Sequence, residues 1–73
     1  MDMDRQCYEV SVERCDDAWL VSRPEWSPLR YLAQDGALRN AEMMARLHAW
    51  TTGEPSRVVL RSEQGEQVLS RFG

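Results

Sequence analysis

Residues 7–23, "CYEVSVERCDDAWLVSR", decide how this chain folds, because apolar and polar side chains alternate along them and the alternation breaks once. Apolar residues at every second position of the first half predict a half-buried strand over residues 7–14. The two acids of residues 15–17 predict a turn. Residues 18–23 then predict a second strand, which closes a hairpin with the first. The residues predicted to face the core are Tyr8, Val10, Val12, Trp19 and Val21.

A third strand and a helix are predicted after the hairpin. Residues 28–33 begin with a proline, which suits the first position of a strand, and then alternate between two faces. Asp35 is a suitable N-cap for a helix that runs to about Thr51. Gly53 follows as the residue that ends it.

One face of the predicted helix is rich in alanine, which allows the helix to lie close to a sheet. The apolar residues of this face are Ala37, Leu38, Ala41, Met44, Ala45 and Ala49, with Leu47 at its margin. Arg39, Glu42 and Arg46 form the opposite, solvated face. Met43 and Trp50 fall outside the apolar face, beside the arginines.

Two more strands, at residues 56–62 and 66–72, are predicted on either side of a turn at 63–65. Residues 1–73 are therefore expected to form one α+β domain of two layers, with residues 1–5 disordered. The element order is β-β-β-α-β-β, and the sheet is predicted to be antiparallel, with four to five strands and the helix packed on one face. Because one helix cannot cover both faces of such a sheet, the other face is expected to be open.

This order of elements resembles a bacterial family of small domains of unknown function. The matching residues are Tyr8 and Val10, Trp19 and Val21, Ala41 and Ala45, and then Val58 to Gly65. The acidic turn after Cys15 and the long connection "RPEWSP" depart from the pattern. The resemblance implies the fold and no activity, and a looser similarity at the level of the fold extends to HicB-type antitoxins.

Composition excludes several kinds of chemistry. All nine basic residues are arginine, which excludes mechanisms that need a Schiff-base or phosphate-binding lysine. The net charge of −3 argues against direct nucleic-acid binding, which normally requires a basic excess. No apolar run is long enough to span a membrane, and residues 1–6 do not resemble an export signal, so a cytoplasmic location is expected.

The sequence predicts a non-catalytic protein without a metal or another cofactor. His48 is the only histidine, and its place on the apolar side of the helix predicts a histidine at the edge of the core that is hydrogen-bonded to the backbone or to the sheet. Cys7 and Cys15 are too far apart on one strand to form a disulfide, so both are predicted to be free thiols. A chain of 73 residues in two layers is also expected to leave little room for a substrate pocket.

Strand alternation predicts an interaction surface on the open face of the sheet. Its aliphatic residues are Leu20, Leu32, Val59 and Leu69, and its arginines are Arg30, Arg61 and Arg71. Trp26, between two prolines, and Trp50, on the helix, are predicted to form an aromatic rim, each with a buried position as the alternative. The function predicted is a protein–protein interaction module that binds a protein partner or a second copy of itself. The alternative is a small antitoxin-like or phage-type regulator that blocks a nucleic-acid-associated target.

Overall fold

One helix packs against one face of a five-stranded sheet in the computed structural model, which describes residues 7–73. The predicted α+β fold and the order of its elements are confirmed. The disorder predicted for residues 1–5 lies outside the described residues. The elements are β1 (Tyr8–Cys15), β2 (Ala18–Ser22), β3 (Leu29–Tyr31), α1 (Gln34–Thr52), β4 (Ser56–Ser62) and β5 (Gly65–Phe72).

The sheet is mixed, and the prediction of a fully antiparallel sheet is wrong. Its strand order is β3-β2-β1-β4-β5, and every neighbouring pair is antiparallel except β1 and β4, which are parallel. The two antiparallel steps from β1 to β3 make β3 parallel to β1. The helix then carries the chain across the sheet, so that β4 enters beside β1 in the same direction, as parallel strands require. Alternation in the sequence is the same in both arrangements and does not distinguish them.

The ends of the elements follow the local sequence except between β3 and α1. β4 has the predicted limits, and Gly53 ends the helix in the left-handed conformation, with its N–H donating to the carbonyl of Ala49. The predicted N-cap is wrong: Ala33 occupies that position without a side-chain cap, and Asp35 lies in the first turn. A carboxylate there still stabilises the helix through its interaction with the helix dipole. β3 is shorter than predicted, because the chain turns into the helix directly after Tyr31.

The core lies between the alanine face of α1 and the central strands. Ala37, Ala41 and Ala45 are fully buried, as the sequence predicts. The buried valines beneath them are Val10, Val12, Val21 and Val58. Larger side chains, partly buried, surround this centre, and Trp19 is among them on the predicted side. The buried hydroxyl of Ser56 donates to the carbonyl of Ala45 and ties β4 to the helix.

Two further predictions concern the thiols and the membrane. Cys7 precedes β1 and Cys15 ends it, and both are free, as predicted. Within residues 7–73 no helix combines the length and the apolar character needed to cross a membrane.

Ala41→Leu tests the close approach of helix and sheet. We expect this substitution to lower the free energy of unfolding by about 1–3 kcal/mol, because a fully packed site has no space for the added carbons. Met43→Leu is the matched control, since Met43 lies on the exposed side of the same helix. Thermal unfolding followed by circular dichroism measures both. If Ala41→Leu unfolds at the temperature of the wild type, the packing described here is wrong.

Candidate interaction surface

The face of the sheet turned away from α1 carries most of the side chains that the sequence singles out for binding. Residues paired across neighbouring strands present their side chains on the same face, so the register defines this face strand by strand. We call it the open sheet face. It consists of Glu9, Ser11 and Glu13 of β1, Leu20 and Ser22 of β2, Arg30 of β3, Arg57, Val59 and Arg61 of β4, and Glu66, Val68 and Arg71 of β5.

Charged side chains form two rows across three strands of this face. The first row, from β1 to β5, is Glu9, Arg57 and Arg71, and the second row is Glu13, Arg61 and Glu66. Between them runs a row of small or apolar residues: Ser22, Ser11, Val59 and Val68. Val59 is only 1% exposed although no element of residues 7–73 packs over this face. Arg57 and Arg61 flank it on the same face of β4, and the aliphatic stems of arginines commonly cover apolar surface in this way.

Glu9 is the centre of the charge network. Its Oε1 accepts hydrogen bonds from Arg57 Nη2 at 2.8 Å and from Arg57 Nε at 3.2 Å. Its Oε2 accepts one from Arg61 Nη2 at 3.0 Å, and Arg61 Nε donates to Glu66 Oε2 at 2.8 Å. The network therefore links β1, β4 and β5. The hydrogen bonds to Glu9, together with its negative charge, raise the pKa of Arg57 above the ordinary value.

Five of the predicted surface residues lie on the open sheet face, and two do not. Leu20, Arg30, Val59, Arg61 and Arg71 are on it. Leu32 lies between β3 and α1 and is 85% exposed, so its predicted place in a strand is wrong. Leu69 occupies a bulge, because Val58 pairs with Ser70 and Val59 pairs with Val68, which leaves Leu69 without a partner on β4.

These placements remove the predicted patch of four clustered leucine and valine side chains. Val59 is buried, and Val68, which is 40% exposed, takes the place beside it that was predicted for Leu69. The surface that remains is a polar one with a narrow apolar strip. Glu9, Arg57 and Glu66, which organise this surface, were not predicted, because Glu9 meets the arginines of β4 only through the pairing of β1 with β4. The sequence did contain one signal for this surface, which is the placement of charged residues at alternate positions of these strands.

Trp26 and Trp50, for which a buried position was the alternative, are both exposed, but they do not form one rim. Trp26 is 62% exposed in the connection between β2 and β3, with the Arg23 guanidinium 4.5 Å above its ring. Trp50 is 80% exposed on α1, in the other layer of the protein. Trp50 is therefore separate from the open sheet face.

His48 lies at the edge of the core, as predicted, but the predicted hydrogen bond to the backbone or the sheet is wrong, because its polar partner is the side chain of Glu54. Its ring stacks on Tyr8 with centroids 3.6 Å apart and an interplanar angle of 7°. Its Nε2 lies 2.9 Å from Glu54 Oε1. A pocket of about 350 Å³ opens beside this pair and is also lined by Cys7 and Trp26. Among residues 7–73, no three histidine, cysteine or acidic side chains are grouped as metal ligands would be.

A larger cleft corrects the expectation that the chain has little room for a pocket. It measures about 720 Å³ and lies between the β1–β2 and β4–β5 turns. Trp19 and Leu60, both partly buried, contribute its apolar surface, and Arg14 contributes a cation 5.9 Å from the ring of Trp19. The cleft is open and bordered by charged turn residues.

Comparison with models of protein families, with curated proteins and with solved structures finds no match to this chain. The resemblance to a bacterial family of small domains therefore stays a prediction.

Glu9→Gln tests the network. We expect a loss of about 1 kcal/mol in the free energy of unfolding, because the substitution removes the negative charge shared by two half-buried arginines. Glu13→Gln is the matched control: Glu13 is on the same strand and face but makes no ion pair within residues 7–73. Urea unfolding at low salt and at 1 M salt measures both variants, since at about 1 M screening is strong. Equal effects of the two substitutions would contradict the central role of Glu9.

Proposed function

We propose that this chain is a small, non-catalytic protein–protein interaction module of the cytoplasm that binds its partner through the open sheet face. The observation that carries the proposal is a face with ordered charges that no element of residues 7–73 covers. Free thiols at Cys7 and Cys15 are consistent with a reducing compartment.

The charge of the open sheet face favours a protein over a nucleic acid. Four arginines and three glutamates lie on it, and the ion pairs intermix them. Nucleic-acid binding draws its affinity from an excess of cations that contact phosphates. Protein interfaces instead combine an apolar centre with a polar rim and are enriched in arginine. Val59 and Val68 between the charged rows, with Leu20 at the end of the second row, fit the second description.

The fixed positions of the side chains in the charge network around Glu9 also favour binding. Arg57 and Arg61 are held by Glu9, so a partner that contacts them immobilises fewer flexible side chains and loses less entropy. Arg71 makes no ion pair within residues 7–73. Arg30 makes one long contact, of 3.7 Å, with the exposed carboxylate of Asp17. Both guanidinium groups are accessible to carboxylates. The proposed partner is thus a protein surface with aliphatic side chains beside acidic ones.

The alternative of an antitoxin-like regulator that uses its acidity is less well supported by the surface. Acidic mimicry of a nucleic acid requires a continuous surface of negative charge. Here Glu9 and Glu66 are paired with arginines. We therefore prefer the interaction module.

A photo-crosslinking amino acid at Arg30 tests the proposal in cells of the source organism. Arg30 is exposed at the border of the open sheet face, so we expect a discrete crosslinked product that contains a second, different protein. The same amino acid at Arg39, exposed on α1, is the matched control and should give no such product. Mass spectrometry identifies the partner.

Products that are equal at both positions, or absent at Arg30, would contradict the proposal. A product of twice the mass of the chain is assigned to self-association and does not support it. The partner should also protect the arginines of β4 from chemical modification, since those side chains lie within the proposed interface.

A further inference from the structure

β5 is a long edge strand, and its outer side has no partner within residues 7–73. It contains eight residues, whereas β3 at the other edge contains only three. Its side chains are exposed from Gly65 to Leu69, and its outward backbone groups are free to pair. Short strands protect a sheet edge from pairing, and long ones offer a template for another strand.

We propose that two copies of this chain associate through antiparallel pairing of their β5 strands, with the two-fold axis between Val68 and Leu69. The two sheets then form one continuous sheet. In this register Glu66 of each copy lies opposite Arg71 of the other, and Gln67 lies opposite Ser70. This inference concerns the edge of the sheet and goes beyond the proposed binding by its face.

The bulge makes this register possible. Opposite residues of an antiparallel pair must lie on the same face. In a regular strand Glu66 and Arg71 would lie on opposite faces, because they are five positions apart and side chains alternate at every position. The extra residue, Leu69, reverses the alternation. Pairing with Arg61 and Arg57 places Glu66 and Arg71 together on the open sheet face.

The remaining pairs of the register also match. Gln67 and Ser70 pair with Leu60 and Val58, so both lie on the side of the helix. Gly65 and Phe72 are on that side as well, through their pairing with Ser62 and Ser56. The two bulges meet at the axis, so neither displaces the outer pairs. An isologous interface requires self-complementarity of this kind.

Charge complementarity supports a second copy as the occupant of the edge. Within one copy Arg71 lies beside Arg57, a like charge, and makes no ion pair within residues 7–73. Glu66 uses Oε2 for Arg61, which leaves Oε1 for another donor. In the pair, the row of Glu9, Arg57 and Arg71 continues into the row of Glu66, Arg61 and Glu13 of the other copy. Each unpaired arginine thereby gains an opposite charge across strands.

The apolar residues at the axis add to the contact. Val68 is 40% exposed and Leu69 is 39% exposed, although both are aliphatic. The proposed register brings the two residues of each copy against those of the other. A chain of this size has a small core, and association increases the apolar surface that it buries.

Sedimentation velocity of the full chain over a range of concentrations tests the inference. We expect the wild type to be dimeric at high concentration. Arg71→Glu should raise the dimer dissociation constant at least about tenfold, because two attractive contacts become repulsive. Glu66→Arg should do the same. Arg39→Glu on α1, with the same change in net charge as Arg71→Glu, should leave the constant unchanged.

A mixture of the Arg71→Glu and Glu66→Arg variants is the decisive arm. Each variant repels itself, but in the mixture every acid faces an arginine, so we expect heterodimers. Circular dichroism establishes that both variants fold. Hydrogen exchange of the wild type gives a second readout, with protection of β5 amides that rises with protein concentration while that of β3 amides does not.

A wild type that stays monomeric, a dimer that survives Arg71→Glu, or a mixture that stays monomeric would overturn the inference. So would protection of β5 that does not depend on concentration. None of these outcomes bears on binding through the open sheet face, because the crosslinking at Arg30 distinguishes a foreign partner from a second copy by mass.

Discussion

The contact between the alanines of α1 and the valines of the central strands is the interaction on which the rest of the structure depends. Ala37, Ala41 and Ala45 are fully buried, and with no side-chain atoms beyond Cβ they let the helix lie directly on the sheet. This contact uses the only helix of residues 7–73 on one face. The opposite face must therefore be stable in water or in contact with another molecule.

Ion pairs and the aliphatic stems of arginines allow the open sheet face to be stable in water. Val59 is buried without a covering element, and Glu9 holds Arg57 and Arg61 on either side of it. Each half-exposed pair contributes little energy by itself. Their joint effect is to fix the side chains of three strands in rows. A face that is ordered, nearly neutral and only narrowly apolar suits reversible binding better than permanent burial.

Local sequence patterns predicted the helix and the strands well, but they did not predict which distant strands pair. Gly53 ended the helix where expected because a left-handed residue has a strong local signature, and the alanine periodicity identified the buried face of α1. The parallel pairing of β1 with β4 has no signature in the local sequence, so the contact of Glu9 with Arg57 was not predicted. The bulge at Leu69 was not predicted either, because the alternation of β5 is compatible with more than one register until its pairing with β4 is known.

Nuclear Overhauser contacts test most directly whether Val59 and its neighbours lie on the face opposite the helix. We expect this placement to give contacts from the Val59 methyl groups to Ser11 and Val68, and from Val58 to Val10 and to the alanine methyl groups of α1. Contacts between Val59 and Ala41 or Ala45, with Val58 directed away from the helix, would contradict it.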